Sequence, residues 1–231
     1  MVEIFNDDFL SSRLAFRGGT ALHKLYLSPQ SRYSEDIDLV QTQSENIGET
    51  FDKLRKVLAF LGKPKVLPKR NNNTMIFRVD STASPGIHLR LKVEINCKEH
   101  FSVLGLTKLP FEVNSSWFSG KCEIVTYQLD ELLGTKFRAL YQRKKGRDLF
   151  DLYKALENPN LNPENVLKCY HKYMSFEGGK SPSQAVYLAN MEEKMQRKDF
   201  LDDMIGLLRP EVEYNPQKAY EVVKRDLIEK L

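Results

Sequence analysis

Strand-like alternation is confined to the first 127 residues of this chain, and beyond Tyr127 only helical spacing remains. Apolar residues at every second position build strands, and those recurring at three and four build helices. The pattern predicts an α/β (α+β) fold: a mixed sheet with helices over residues 1–127, then a helical domain over residues 128–231. At 231 residues, against a prior of ~150 per domain, one large domain or two small ones would bury a core without disulfides.

In the first part, an apolar-periodic stretch over residues 4–14 breaks at Gly18-Gly19. Thr20 can cap a short helix to about residue 27, where Ser28-Pro29 stops it. Residues 36–40 read as a strand, and residues 46–61 as a helix ending at Gly62. Residues 74–80 and 87–96 are strands joined by the turn-rich segment 81–86, as in a hairpin, and residues 123–127 add another. Later helices are expected at 129–143, 148–156, 163–174, 183–195, 199–208 and 216–231.

Several classes are excluded. No run approaches the ~18 apolar residues of a membrane span. Asp7 and Asp8 interrupt the region where a signal peptide needs an apolar core. Cys97, Cys122 and Cys169 are odd in number and form no C-x-x-C pair, which argues against disulfides or zinc and suits a reducing cytoplasm. The net charge of +4 is unevenly spread. Residues 63–98 carry eight Lys/Arg against two acids, and residues 121–147 seven against three. Basic segments on an otherwise acidic body suit a polyanionic substrate, although a mixed solvated surface would explain composition alone.

Three features could carry chemistry. Asp36-Ile37-Asp38 sits in a strand, so both carboxylates share one face, with α-carbons ~6.6 Å apart, and can converge on a hard cation. Taken alone, such a triplet is in most cases solvated surface. Leu89, Leu91, Val93 and Ile95 form a buried row, leaving Arg90, Lys92, Glu94 and Asn96 on the opposite one. If the two strands are neighbours, Glu94 is a third acid on the same face; a sheet with one wet face gives the same alternation. Three acids could hold two Mg²⁺ ions, one gripping a triphosphate and one activating a hydroxyl. Arg17-Gly18-Gly19-Thr20 opens a helix where glycines allow close phosphate approach, or is an ordinary turn with a threonine cap. In the helical part, Lys136 and Arg143 share a helix face, joined by Arg147 only if Gly146 does not break the helix. Asp148 and Asp151 have the spacing of a capping pair. His23 reads as a partly buried surface residue or a nucleotide contact. Trp117, with Phe111 and Phe118, reads as a core corner or a stacking surface.

The order of these pieces resembles the nucleotidyltransferase superfamily. More specifically, Phe16-Arg-Gly-Gly-Thr-Ala-Leu22 followed by Arg32-Tyr-Ser-Glu-Asp-Ile-Asp-Leu39 resembles the AbiEii toxin family of abortive-infection toxin–antitoxin systems. So do Glu131-Leu-Leu-Gly-Thr-Lys136-Phe-Arg-Ala-Leu140 and Arg147-Asp-Leu-Phe-Asp-Leu152. The resemblance spans residues 16–153. It implies phosphate binding at Gly18, Gly19 and Thr20, with Arg32 and Ser34 bracing the triphosphate. Metal ligation by Asp36 and Asp38 is implied too, with Glu94 as third acid where many relatives carry aspartate. Lys136 matches the family's helical lysine, which would neutralise triphosphate charge. Asp148 and Asp151 match the last motif, as a general base or as anchors for Lys136 and Arg147. The implied activity is Mg²⁺-dependent transfer of a nucleotide from a nucleoside triphosphate to an RNA 3′ end such as tRNA. An antitoxin encoded alongside, a DNA-binding repressor that need not touch the toxin, is implied as well. Two rivals remain: nucleotidylation of a small antibiotic, which needs an acidic acceptor pocket, and a catalytically silent nucleotide- or RNA-binding module.

Overall fold

A computed structural model describes residues 1–80, 87–176 and 178–231; the turn expected at 81–86 lies outside the described residues. The chain forms two compact units, one of Met1–Ala21 and Ser34–Tyr127, the other of Leu22–Tyr33 and Gln128–Leu231.

In the first unit, the described residues build one mixed sheet of seven strands in the order β3-β4-β5-β2-β1-β7-β6. These are β1 (Leu14–Arg17), β2 (Ile37–Gln41), β3 (Lys65–Leu67), β4 (Asn72–Asp80), β5 (His88–Asn96), β6 (Leu106–Asn114) and β7 (Ser119–Tyr127). Pairs β2/β5 and β1/β7 are parallel, and the other neighbours antiparallel. The helices are α1 (Val2–Phe5), α2 (Asp8–Arg13), α3 (Gly18–Ala21) and α4 (Ile47–Val57). Asp7 caps α2 by accepting from Leu10 N, and Asn46 caps α4 by accepting from Gly48 N.

Period-two alternation sorts the central strands into two layers. Phe16 lies beside Leu39 and Leu39 beside Ile95, while Ile37 lies beside Val93 and Val93 beside Met75. All are buried and make the sheet's core face. The alternate row, Arg17–Asp38–Glu94–Thr74, runs laterally across β1, β2, β5 and β4 on the other face. Three strands escape a reading by periodicity: β1, β6 and the three-residue β3. β1 has only four residues and follows two short helices where one apolar-periodic stretch was expected. β6 contains Pro110, which lacks an N–H and fits here because β6 is an edge strand.

The second unit contains a π-helical turn (Leu22–Tyr26) and α5 (Leu129–Gln142), α6 (Gly146–Ala155), α7 (Pro163–Phe176), α8 (Gln184–Met195), α9 (Lys198–Leu201) and α10 (Pro216–Asp226). Its core centres on Phe137, whose ring stacks on Tyr187 at 4.6 Å and meets Tyr170 edge-on at 4.8 Å. Buried Lys194 donates to the carbonyls of Leu140 and Tyr141, acceptors left open by the last turn of α5. Burial pulls its ammonium down to about 8. The helix expected over 199–208 ends early, in a 3₁₀ turn at Asp202–Met204. Beyond it the chain pairs with the inserted segment: Tyr33 N donates to Leu207 O at 2.8 Å and Arg209 N to Ser31 O at 3.1 Å. These bonds tie Leu22–Tyr33 to the helical unit. Trp117, read as a core corner or a stacking surface, is 71% exposed beside the β6–β7 turn.

Gly134 sets the approach of α5 to α7: a Cβ there would lie 2.6 Å from Cys169 Cβ and 2.9 Å from Val166 O. Gly134→Val is therefore expected to destabilise the protein by about 1–3 kcal/mol through overpacking. A urea midpoint equal to that of the parent chain would refute this contact.

Candidate functional site

The sheet brings the three predicted acids to one place. Asp38 and Glu94 are direct neighbours on parallel strands, and Asp36, expected inside the strand, lies just before β2 begins, within reach of Lys92. Two carboxylates side by side repel unless a cation stands among them. Here Lys92 does so, with Nζ 2.7 Å from Glu94 Oε2 and 3.7 Å from Asp36 Oδ2. Partial burial pulls the Lys92 ammonium down, but its bond to Glu94 and the fields of Asp36, Glu94 and Asp38 more than offset this and raise its pKa above the ordinary lysine value. Thr74 Oγ1 donates to Glu94 Oε1 at 3.3 Å, so both oxygens of Glu94 are engaged. Farther along, Arg17 pairs with buried Glu99 at 2.5 Å.

The glycine motif meets these acids directly. Gly18 follows β1 with φ +78°, a conformation that disfavours side chains, and a Cβ there would run into the Asp38 carboxylate. Thr20 Oγ1 and Ser34 Oγ share a hydrogen bond at 2.6 Å, linking the helix start to the loop before Asp36. Gly19 lies between these contacts in α3.

Carboxylate oxygens are the donors that a hard divalent cation takes. Among the described residues, no three acidic, cysteine or histidine side chains already stand as a metal-holding group. The donor set fits a cation in type and placement, since an ammonium already lies between two of the acids, and a metal ion would have to displace it.

Arg32, Lys136, Asp148 and Asp151 form a separate cluster within the helical unit. Asp151 is fully buried; it accepts from Arg32 Nε and Nη2 at 2.7 and 2.8 Å and from His23 Nε2 at 2.8 Å, and pairs with Lys136 at 2.8 Å. Asp148, also fully buried, pairs with Lys136 at 2.9 Å and with Arg143 through both of its oxygens. Burial penalises both carboxylates, but their partners win: Lys136 foremost, with Arg143 for Asp148, and with Arg32 and a hydrogen bond from His23 for Asp151, hold them below the ordinary range.

Several expectations change accordingly. Arg32, expected to brace the triphosphate from the loop before the acids, has its guanidinium on Asp151 and the Tyr33 carbonyl. α5 stops at Gln142 with Arg143 as its C-cap, so the break comes before Gly146, which instead opens α6 after Lys145; Asp148 lies inside that helix rather than capping it. The aspartates anchor Arg32, Lys136 and Arg143 rather than Arg147. His23 is a buried member of this cluster, Nδ1 having no hydrogen-bond partner. Lys92 was legible as part of the polar row, but nothing in its spacing announced that it would sit among the acids.

A family model described as "Nucleotidyl transferase AbiEii toxin, Type IV TA system" matches residues 1–223. No curated protein sequence matches the chain. Among solved structures, MenT4, a nucleotidyltransferase toxin from Mycobacterium tuberculosis, is similar with a TM-score of 0.63 at 17% identity, over 100% of this chain and 80% of that one. JHP933 from Helicobacter pylori is similar with a TM-score of 0.59 at 17% identity, over 99% of this chain and 87% of that one. At such identity these likenesses speak to the fold.

The buried cluster makes two predictions. Asp151→Ala would leave Lys136 and Arg32 short of a counter-charge in a buried site and is expected to cost about 3–5 kcal/mol; a loss under about 1 kcal/mol in chemical denaturation would show the cluster to be dispensable. Acid should weaken the fold. Burial foremost, with the charges of Arg32 and Lys136, lowers the His23 pKa against the pull of Asp151, so His23 stays neutral when folded. The unfolded chain then takes the proton more readily, so stability is full above pH 6.5 and falls as the medium is acidified below it. Asp148 and Asp151, also depressed, add a second loss below pH 3.8. His23→Gln should flatten only the first window; an unchanged slope there would assign that titration elsewhere.

Proposed function

Because the chain belongs to the AbiEii family of nucleotidyltransferase toxins of toxin–antitoxin systems, we propose that it transfers a nucleotidyl group from a nucleoside triphosphate to the 3′ end of an RNA such as tRNA. One observation carries this reading: Asp38 and Glu94 stand in register, Lys92 lies between Glu94 and Asp36, and Gly18 abuts the Asp38 carboxylate. In the transfer, the acceptor hydroxyl gives up its proton to solvent water as its oxygen bonds to the α-phosphorus, the bond from that phosphorus to the bridging oxygen breaks, and pyrophosphate departs.

Asp36, Asp38 and Glu94 would hold Mg²⁺, which when bound neutralises phosphate charge and acidifies the attacking hydroxyl. The chain's own groups do the positioning. Gly18 and Gly19 leave room for phosphate oxygens, and the hydroxyls of Thr20 and Ser34 donate to them once they part from each other. Lys92 is free to turn from the carboxylates to the triphosphate when a metal replaces it, keeping the charge of the site balanced. Asp148 and Asp151 hold Lys136, Arg32 and Arg143 in place. Carboxylates held ionised by several cations are weak proton acceptors, which favours anchoring over general-base work. Family membership implies an antitoxin partner; we read it as a repressor encoded alongside that need not touch the toxin. A reducing cytoplasm suits the three free thiols and both substrates.

Incubation with radiolabelled nucleoside triphosphates, Mg²⁺ and unfractionated tRNA tests the proposal. Label is expected on RNA, falling by at least about a hundredfold in Asp36→Ala and Asp38→Ala. Label on an added antibiotic instead would move the acceptor to a small molecule, and nucleotide binding without transfer would make the chain a silent binding module.

A further inference from the structure

The face of the sheet that carries the acids continues along β4 and β5 into a row of cations. Successive same-face pairs are Thr74 beside Glu94, then Ile76 beside Lys92, then Arg78 beside Arg90. Lys65 joins the middle row beside Ile76 from β3. Strand geometry spaces these rows by ~6.7 Å, so the two arginines begin ~13 Å along the strand from Glu94. Lys63, Lys65, Arg78 and Arg90, with Leu67 and Ile76 beneath, line an open groove of about 540 Å³.

Like charges placed directly opposite on neighbouring strands destabilise a sheet, and Arg78 and Arg90 are so placed. Both are exposed, as are Lys63 and Lys65, and none of the four has an acidic partner among the described residues. This contrasts with the acids a few residues away, each of which is served by a neighbour. The run ends at Asp80, which pairs with His88 at 2.7 Å. Four unneutralised cations, spread over neighbouring rows of one groove beyond the row that holds Glu94, are complementary to a chain of phosphates rather than to one compact anion.

We propose that Lys63, Lys65, Arg78 and Arg90 form a track for the sugar-phosphate backbone of a single-stranded RNA end, laid along β4 and β5 so that its terminus points to Asp36, Asp38 and Glu94. The inference rests on the reading of RNA as acceptor and adds the surface that holds it. The contacts are to backbone and not to bases, so the track sets where the strand lies and leaves base choice to other groups.

Fluorescence anisotropy with a 5′-labelled single-stranded RNA oligonucleotide, and with unfractionated tRNA, tests this in the absence of nucleoside triphosphate. Each of Lys63→Gln, Lys65→Gln, Arg78→Gln and Arg90→Gln should weaken binding for every RNA sequence and reduce the salt slope of log K by about 0.7. In the fourfold variant the reduction is about 2.8, so the parent's affinity should fall about 50-fold more than the variant's between 50 and 200 mM salt. A charge-matched control with Lys168, Lys180, Lys198 and Lys218 changed to Gln, all exposed in the helical unit, should keep the parent slope. If the fourfold variant binds RNA like the parent, or the control loses as much, the track is overturned while RNA transfer stands on its labelling result. If the parent binds poly-glutamate as tightly as RNA of equal charge, the groove belongs to an acidic protein and the proposal fails. If the parent binds no RNA, both the track and the RNA acceptor are overturned.

Discussion

Three carboxylates on one sheet face repel one another, and the architecture of the first unit answers that repulsion. Parallel pairing of β2 with β5 sets Asp38 against Glu94, a juxtaposition that water alone would leave unfavourable. Lys92, two residues before Glu94 and so on the same face, supplies the missing positive charge. Gly18 is held to glycine by the same crowding, since the Asp38 carboxylate fills the space of its absent side chain. Strand order, register and the glycine turn thus answer to one electrostatic requirement.

Much of this could be read in the residues themselves. The alternation of Leu89, Leu91, Val93 and Ile95 identified β5 and placed Glu94 on its polar face, because a strand has only two faces, although only Val93 and Ile95 of the expected buried row are buried and Leu89 is exposed. The stretch of helical spacing after Tyr127 likewise announced α5 to α10, but not that Leu22–Tyr33 would join them in one unit. Other features depended on contacts between distant segments, which no local period encodes. β1 is too short to show a period and is recognisable only through its pairing with β2 and β7. Asp148 and Asp151 have the spacing of a cap, and only packing shows them to be buried partners of Lys136, Arg143 and Arg32. His23 has an unremarkable local sequence and takes its meaning from Asp151.

The helical unit uses charge differently. Its acids and bases are enclosed and mutually satisfied, an arrangement whose contribution lies less in net stability than in fixing which side chains meet. Lys194 follows the same rule with backbone carbonyls as partners. On the sheet, by contrast, Lys92 serves the acids, while the cations farther along β4 and β5 have no acidic partner among the described residues, and unpaired surface charge suits a surface that meets a charged partner.

The assignment of Leu22–Tyr33 to the helical unit has a consequence for modularity. Neither compact body corresponds to a contiguous stretch of polypeptide, because the chain leaves the sheet, contributes a turn and a loop to the helices, and returns before β2. A truncation after Tyr127 would leave Arg32 without Asp151 and expose a segment adapted to burial. The two bodies are therefore interleaved by the order of the gene, and recombination could not exchange one as a cassette without carrying off a piece of the other.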